Sequence, residues 1–233
     1  MRVNADFDQP AIVRLADRQW VASPAGGVER CMLDRVPLSA DGEVARATSL
    51  VRFAPGAAFP THEHGGGEDY LVLDGTFGDE TGDFPAGSYV RNPRGTAHAP
   101  RTPEGCTILV HLHQFAEGDD ASVTIDTRAA AFEPGAGPGA TQTVLHRHGD
   151  EFVRLVRFEP GTRLDGHAHP GGEEVLVLEG AFGDEGGEYE TGTWLRSPAG
   201  TGHAPHSKTG CLLYIRTGHL PPAAQTETGA EAA

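Results

Sequence analysis

HEHGGGEDYLVLDG, residues 62–75, returns as HAHPGGEEVLVLEG at residues 167–180, 105 positions later. Each copy opens with two histidines two residues apart. On an extended chain such residues point to the same side, so the two imidazoles can reach one point. A Gly-rich turn follows and then a glutamate, Glu68 or Glu173, which the turn can swing back toward the histidines. The copy closes on a short apolar run that stops at Gly75 or Gly180, the pattern of a strand ended by a turn.

Outward from this segment the register holds without a gap. LVRFAPG at 50–56 matches LVRFEPG at 155–161, and FGDE at 77–80 matches FGDE at 182–185. Gly87, Arg91, Pro93, Gly95, His98, Pro100 and Cys106 fall on Gly192, Arg196, Pro198, Gly200, His203, Pro205 and Cys211. VERCMLDR at 28–35 and TQTVLHRH at 141–148 are looser counterparts. A period this long is that of a small domain rather than a solenoid unit. The expected organisation is a first domain with a leading extension at 1–125, a second domain at 126–220, and a small, polar, disordered tail at 221–233. The fold class is all-β. Short strands with Gly and Pro turns imply a closed barrel or a double-sheet jelly roll, and strand spacing does not separate the two. The segment AIVRLADRQWV at 11–21 reads as a short helical turn or an edge strand, placed across a seam between the domains.

Composition narrows the function. A net charge of -15 repels phosphate backbones, so no nucleic-acid partner is expected. No apolar run is long enough for a membrane-spanning helix, so no membrane partner is expected. The first twenty residues lack the apolar stretch of a signal peptide, which leads to a cytoplasmic expectation. Three cysteines do not make a secreted disulfide framework, and Cys106 and Cys211 read as buried small thiols.

Histidine pairs on a strand are often no more than a solvated face. Here the pair recurs in register with a carboxylate and with a distant histidine, His98 or His203. The expected ligands are therefore His62, His64, Glu68 and His98 in the first copy, and His167, His169, Glu173 and His203 in the second. Three imidazoles and one carboxylate suit a divalent Fe, Mn, Ni or Zn ion, one per domain. Four further residues are expected near a substrate: Arg91 and Arg196, retained in both copies, and Arg101 and His206 at the barrel mouths. A salt bridge on the surface is the plainer reading of the two retained arginines. Asp69 and Glu174 follow the ligand glutamates directly and should face the other side, as solvated or structural groups.

The same spacing resembles the cupin superfamily. Its first motif is matched by Gly56, His62, His64, Glu68 and Gly75, and by Gly161, His167, His169, Glu173 and Gly180. Its second is matched by Gly87, Pro93, Gly95 and His98, and by Gly192, Pro198, Gly200 and His203. Thr102 and Ser207 replace the motif's closing Asn, which is not a ligand in the family. Within cupins the chain resembles the ChrR-like group, whose name-giving member is an anti-sigma factor. Those members carry an N-terminal helical domain that binds zinc and the sigma factor. The first 49 residues here hold one cysteine and no histidine, so no sigma-factor partner is expected.

The resemblance implies a metal-binding two-cupin protein that takes a small-molecule ligand or substrate. The enzymatic alternative it implies is a non-haem Fe(II) dioxygenase acting on a β-diketone or hydroxylated ketone. A sensor module and a structural metal site are the non-enzymatic readings. Two barrels paired within one chain make a monomer or homodimer the expected assembly.

Overall fold

The computed structural model describes residues 1–24, 26–38 and 44–221. The tail expected at 221–233 lies, after Pro221, outside the described residues. Strands dominate. The one helical element among the described residues is a three-residue 3-10 turn, Leu15–Asp17.

Each repeat builds one large antiparallel sheet. The first runs in the order Val123–Asp126, Ser88–Asn92, Glu68–Asp79, Cys106–Leu112, Val44–Phe53, Val28–Pro37, Trp20–Ala22. The second runs Ala11–Val13, Trp194–Ser197, Glu173–Asp184, Cys211–Thr217, Glu151–Phe158, Ala140–His148, Glu133–Pro134. A two-stranded sheet closes each barrel: His62–Glu63 with Ala97–His98, and His167–Ala168 with Gly202–His203. These are two tandem jelly-roll barrels. The looser counterparts hold too, since Val28 pairs with Phe53 as Ala140 pairs with Phe158.

Both faces of the central strands are buried, and the sequence shows why. In YLVL and VLVL alternate side chains diverge. Tyr70 and Val72 enter the core of the first barrel, as Val175 and Val177 enter that of the second. Leu71 and Leu176 point the other way into a third cluster, with Leu50, Tyr89 and Leu109 from one barrel and Leu155, Trp194 and Tyr214 from the other. A strand covered on both sides reads as a continuous apolar run rather than an alternating one. The third cluster is the seam. The barrels pack face to face within one chain, the pairing expected from the sequence.

The turn after each central strand needs glycine. Gly75 and Gly180 have φ of +70° and +69°, and a Cβ on either would strike the carbonyl oxygen of Gly105 or Gly210.

The edge strands are exchanged. Ala11–Val13 precedes the first barrel yet pairs with Trp194–Ser197 of the second, setting Ala11 opposite Arg196. Val123–Asp126 precedes the second barrel yet pairs with Ser88–Asn92 of the first, setting Val123 opposite Arg91. The leading segment thus supplies an edge strand to each sheet, because Trp20–Ala22 pairs with the first. Trp20 is half-buried under the Arg52 guanidinium. A boundary at 125 falls inside the strand Val123–Asp126, whose hydrogen bonds tie it to the first sheet.

Charged side chains fill the seam beside the apolar cluster. Arg91, Arg196, Arg216, Asp34, Asp69, Glu174 and His111 are all essentially inaccessible. His111 Nδ1 meets Asp69 at 2.9 Å and its Nε2 meets Glu174 at 2.8 Å, so one imidazole bridges the two barrels. Trp194 Nε1 donates to the same Glu174 at 3.0 Å. Asp69 and Glu174 do face away from the clustered histidines. The solvated alternative is corrected, because the side of the strand opposite the barrel interior is covered by the other barrel.

Candidate metal centres

His62, His64, Glu68 and His98 converge, each offering one ligand atom within 4.8 Å of the others. Pairing of His62–Glu63 with Ala97–His98 sets His62 directly opposite His98. His64 lies just beyond the short strand, and Glu68 opens the long central one. Glu68 Oε1 stands 3.6 Å from His64 Nε2 and 3.4 Å from His98 Nε2.

The second barrel repeats this arrangement with one difference. His167, His169 and His203 converge within the same distance, with His169 Nε2 and His203 Nε2 3.3 Å apart. Glu173 divides its carboxylate, with Oε1 3.4 Å from His169 and Oε2 3.5 Å from His203. It lies beside the three imidazoles rather than aiming one oxygen at all of them.

The ring orientations are set from behind. His64 Nδ1 lies 2.9 Å from Thr96 Oγ1, and His62 Nδ1 lies 3.2 Å from the Pro60 carbonyl. His98 Nδ1 and His203 Nδ1 each face an aspartate at 3.1 Å, Asp79 and Asp184. These contacts leave Nε2 of each ring pointing inward. His64 Nε2, His98 Nε2, Glu68 Oε1 and Glu173 Oε2 are buried without a hydrogen-bond partner. Buried polar atoms are rarely left orphaned, and a cation in each barrel satisfies the three of the first and the one of the second. Two nitrogens about 3.3 Å apart is also the spacing of ligands held about 2.0–2.1 Å from one tetrahedral ion. The residues therefore fit a divalent transition metal, one in each barrel.

Electrostatics agree with this. Burial, then the neighbouring imidazoles, push His64 down to about 4 and His169 down to about 3. Both rings are neutral at neutral pH, with lone pairs available. Burial lifts Glu68 to about 7 and raises Glu173. His98 is lowered chiefly by burial. At His203 burial works the same way but is outweighed by Asp184 and Glu173, so the net shift is upward.

Each cluster forms part of the wall of a cavity, 350 Å³ in the first barrel and 340 Å³ in the second. The other walls are largely apolar, including Val51, Phe53, Phe77 and Ile108 in one and Val156, Phe158, Phe182 and Leu213 in the other.

The four residues expected near substrate divide into two groups. Arg101 is on the surface beside Asp83 at 2.8 Å, and His206 lies 3.5 Å from Glu188 near the second mouth. Arg91 and Arg196 do not meet the expectation, nor its surface alternative. They stand opposite Asp69 and Glu174 on the neighbouring strands and so enter the seam. Arg91 binds Asp119 at 2.5 Å, and Arg196 donates to the carbonyls of Asn4 and Asp6 at 2.7 and 2.9 Å.

Sequence reasoning missed Asp79 and Asp184, although the repeated FGDE carried them in plain view. Replacing Asp184 with alanine is expected to weaken metal binding in the second barrel by about 10–100-fold, since it frees the His203 ring. Competition against a chromophoric chelator would measure it. Thr102 and Ser207 have a role too, each hydroxyl donating to a backbone carbonyl, of Thr76 at 2.7 Å and Ala181 at 2.6 Å.

Sequence comparison adds a family. The ChrR cupin-like domain matches residues 8–116 and again residues 120–221. The chain belongs to the ChrR cupin-like domain family. It carries the cupin domain twice, each match opening just before one of the exchanged edge strands. No curated protein sequence matches the chain. Solved structures do match in fold. A dioxygenase candidate from Nostoc punctiforme superposes with a TM-score of 0.75 at 15% identity, covering 90% of this chain and 82% of that one. A bacterial pirin from Escherichia coli, in complex with nickel(II), gives 0.66 at 16%, covering 92% and 100%. A variant of oxalate decarboxylase from Bacillus subtilis gives 0.61 at 16%, covering 91% and 78%. At such identities the likeness carries the bicupin fold and nothing finer. No helix among the described residues is long and apolar enough to cross a membrane.

Proposed function

We propose that this bicupin is a metal-dependent enzyme acting on a small oxygen-bearing molecule, with O₂-dependent cleavage of a β-diketone or hydroxylated ketone as its reaction. The observation that carries the reading is the junction of ligand cluster and cavity. His62, Glu68 and His98 in the first barrel, and His167, Glu173 and His203 in the second, line apolar chambers large enough for a small molecule. A purely structural metal needs no such chamber.

The ligand set would be His62, His64, Glu68 and His98 in one barrel, and His167, His169, Glu173 and His203 in the other. A divalent ion held there supplies Lewis acidity and, as iron, a site for activating O₂. The chain's own part is positional. Asp79 and Asp184 fix the ring planes of His98 and His203. The apolar walls exclude water from the reacting atoms and strengthen every polar contact made inside. A carboxylate needs less reorganisation to yield a position than a fixed ring, and Glu68 and Glu173 are the groups suited to move.

Protein purified without oxygen is expected to hold up to two equivalents of one transition metal, with iron giving O₂ uptake when pentane-2,4-dione is added. Elemental analysis and an oxygen electrode test both parts. Absence of any bound metal after loading would sink the reading of the sites. Full metal occupancy without O₂ uptake on any diketone would sink the oxygenase and leave the binding site standing.

A further inference from the structure

The wall of each cavity carries an arginine as well as its ligand cluster, but the two barrels place it differently. In the first, Arg30 comes from the strand Val28–Pro37, and Ser49 on the adjacent strand lines the same wall. In the second, the position corresponding to Arg30 is Gln142, because both pair with matched valines, Val51 and Val156. The position corresponding to Ser49, 105 residues on, is Arg154. Gln142 and Arg154 both line the second cavity. Position by position, arginine and small or neutral partner have changed places, while the cavity's positive charge has been kept. A residue needed only for packing would have no reason to keep its charge while moving to another strand.

Neither arginine has a carboxylate at ion-pair distance among the described residues, although Glu68 and Glu173 act on them through the cavity. Arg30 makes no ion pair or hydrogen bond among the described residues. Arg154 has a long contact to Thr217 Oγ1 at 3.4 Å and stacks over the Phe152 ring at 4.5 Å. The arginines buried in the seam, by contrast, have carboxylates within reach. A half-buried guanidinium on the wall of an apolar chamber keeps most of its donors available, in a fork that fits a planar carboxylate.

We propose that the molecule taken by each barrel carries a carboxylate, bound by Arg30 in the first cavity and by Arg154 in the second. The inference rests on the reading of the clusters as metal sites, which would take the molecule's other end. Each of these guanidiniums offers a fork of donors that matches one planar carboxylate.

The test is calorimetric titration of metal-loaded protein, without oxygen, with 2,4-dioxopentanoate and with its methyl ester. The two share a chelating dione and differ in charge. The acid is expected to bind at least about ten-fold more tightly, the loss typical of an unpaired charged hydrogen-bonding group. The double variant Arg30→Gln with Arg154→Ser is expected to lose that preference. Each substitution copies the residue that the other barrel already tolerates at the same position. Adding Ser49→Arg to Arg30→Gln is expected to restore the preference in the first barrel, by moving the cation to the place the second barrel uses. Equal affinity for acid and ester, binding of neither, or an unchanged preference in the double variant would overturn the proposal. Metal content measured in the same samples separates the two readings. Protein that takes up no metal on loading yet still prefers the acid supports the arginines and sinks the metal site, and metal-loaded protein without the preference does the reverse.

Discussion

Replacement of Arg216 by methionine is expected to cost about 3–5 kcal/mol of folding stability, the range for removing one partner of a buried ion network. Arg216 is fully buried in the seam. It pairs with Glu151 at 2.9 Å and Asp69 at 3.5 Å, and donates to the Gln114 carbonyl at 3.1 Å. Methionine fills much of the volume but leaves two carboxylates facing one another across a dry interface. The neighbouring charges cannot simply take over, since Arg91 lies 3.6 Å from both Asp69 and Glu151 and is already committed to Asp119. Urea unfolding at neutral pH measures the loss. A change under about 1 kcal/mol, the value of an exposed pair, would mean that water reaches the network.

The second large effect is on pH dependence and centres on His111. Burial by itself would lower this histidine. The carboxylates of Glu174 and Asp69 outweigh burial and raise it to about 9. Its folded-state value therefore lies above the ordinary histidine value of about 6.5. The charged ring's contribution is complete below about pH 6.5 and is lost as pH climbs through 9, a total of about 3 kcal/mol by linkage. His219 acts in a different window. Burial pushes it down to about 3, so its neutral form is favoured in the fold, and stability falls as pH drops below about 6.5. Arg216, Arg46 and Asp34 lie in the same network: burial lowers Arg46 and raises Asp34, while Glu151 and Asp69 outweigh burial at Arg216 and raise it. The thiols of Cys31, Cys106 and Cys211 are all raised by burial, so they remove stability as unfolded thiols ionise near pH 8.5. The measurement is thus a comparison. Unfolding of the wild type and of His111→Gln between pH 6 and 10 should show a falling curve whose excess slope is absent from the variant. Parallel curves would show that the bridge is not charged.

Much of the site was legible in the sequence, and the reason is local. Ligand placement depends on turns, and the turns depend on glycines whose spacing repeats, such as Gly75 and Gly180 with their positive φ. A His-x-His followed by a glutamate needs only short-range geometry to converge, and duplication separated it from chance. The runs YLVL and VLVL were legible as strands, and the burial of both their faces follows from the second barrel. What the run could not reveal was which polar groups share that burial. Asp69, Glu174, Arg91 and Arg196 are ordinary charged residues on ordinary strands. Their burial is decided by a barrel 105 residues away in the chain. Strand parity held a clue, since Arg91 stands across from Asp69 rather than Glu68. The cavity arginines were hidden for another reason: Arg30 and Arg154 do not align, so comparing the copies discards them as differences.

The exchanged edge strands say something about how such a chain came to be divided. Two identical single-barrel subunits, each lending its leading arm to the other, would form the same pair of sheets around a true two-fold axis. Joining them end to end keeps every borrowed strand in place and makes the loan permanent. It also lifts a restriction that identical subunits can never escape. At the position matched between the repeats one half carries His111 and the other Arg216, so that position supplies one imidazole bridge and one guanidinium rather than two of either. Two halves in one chain are free to differ, and the arginine that stands on one strand in the first chamber and on another in the second is a second difference of that kind.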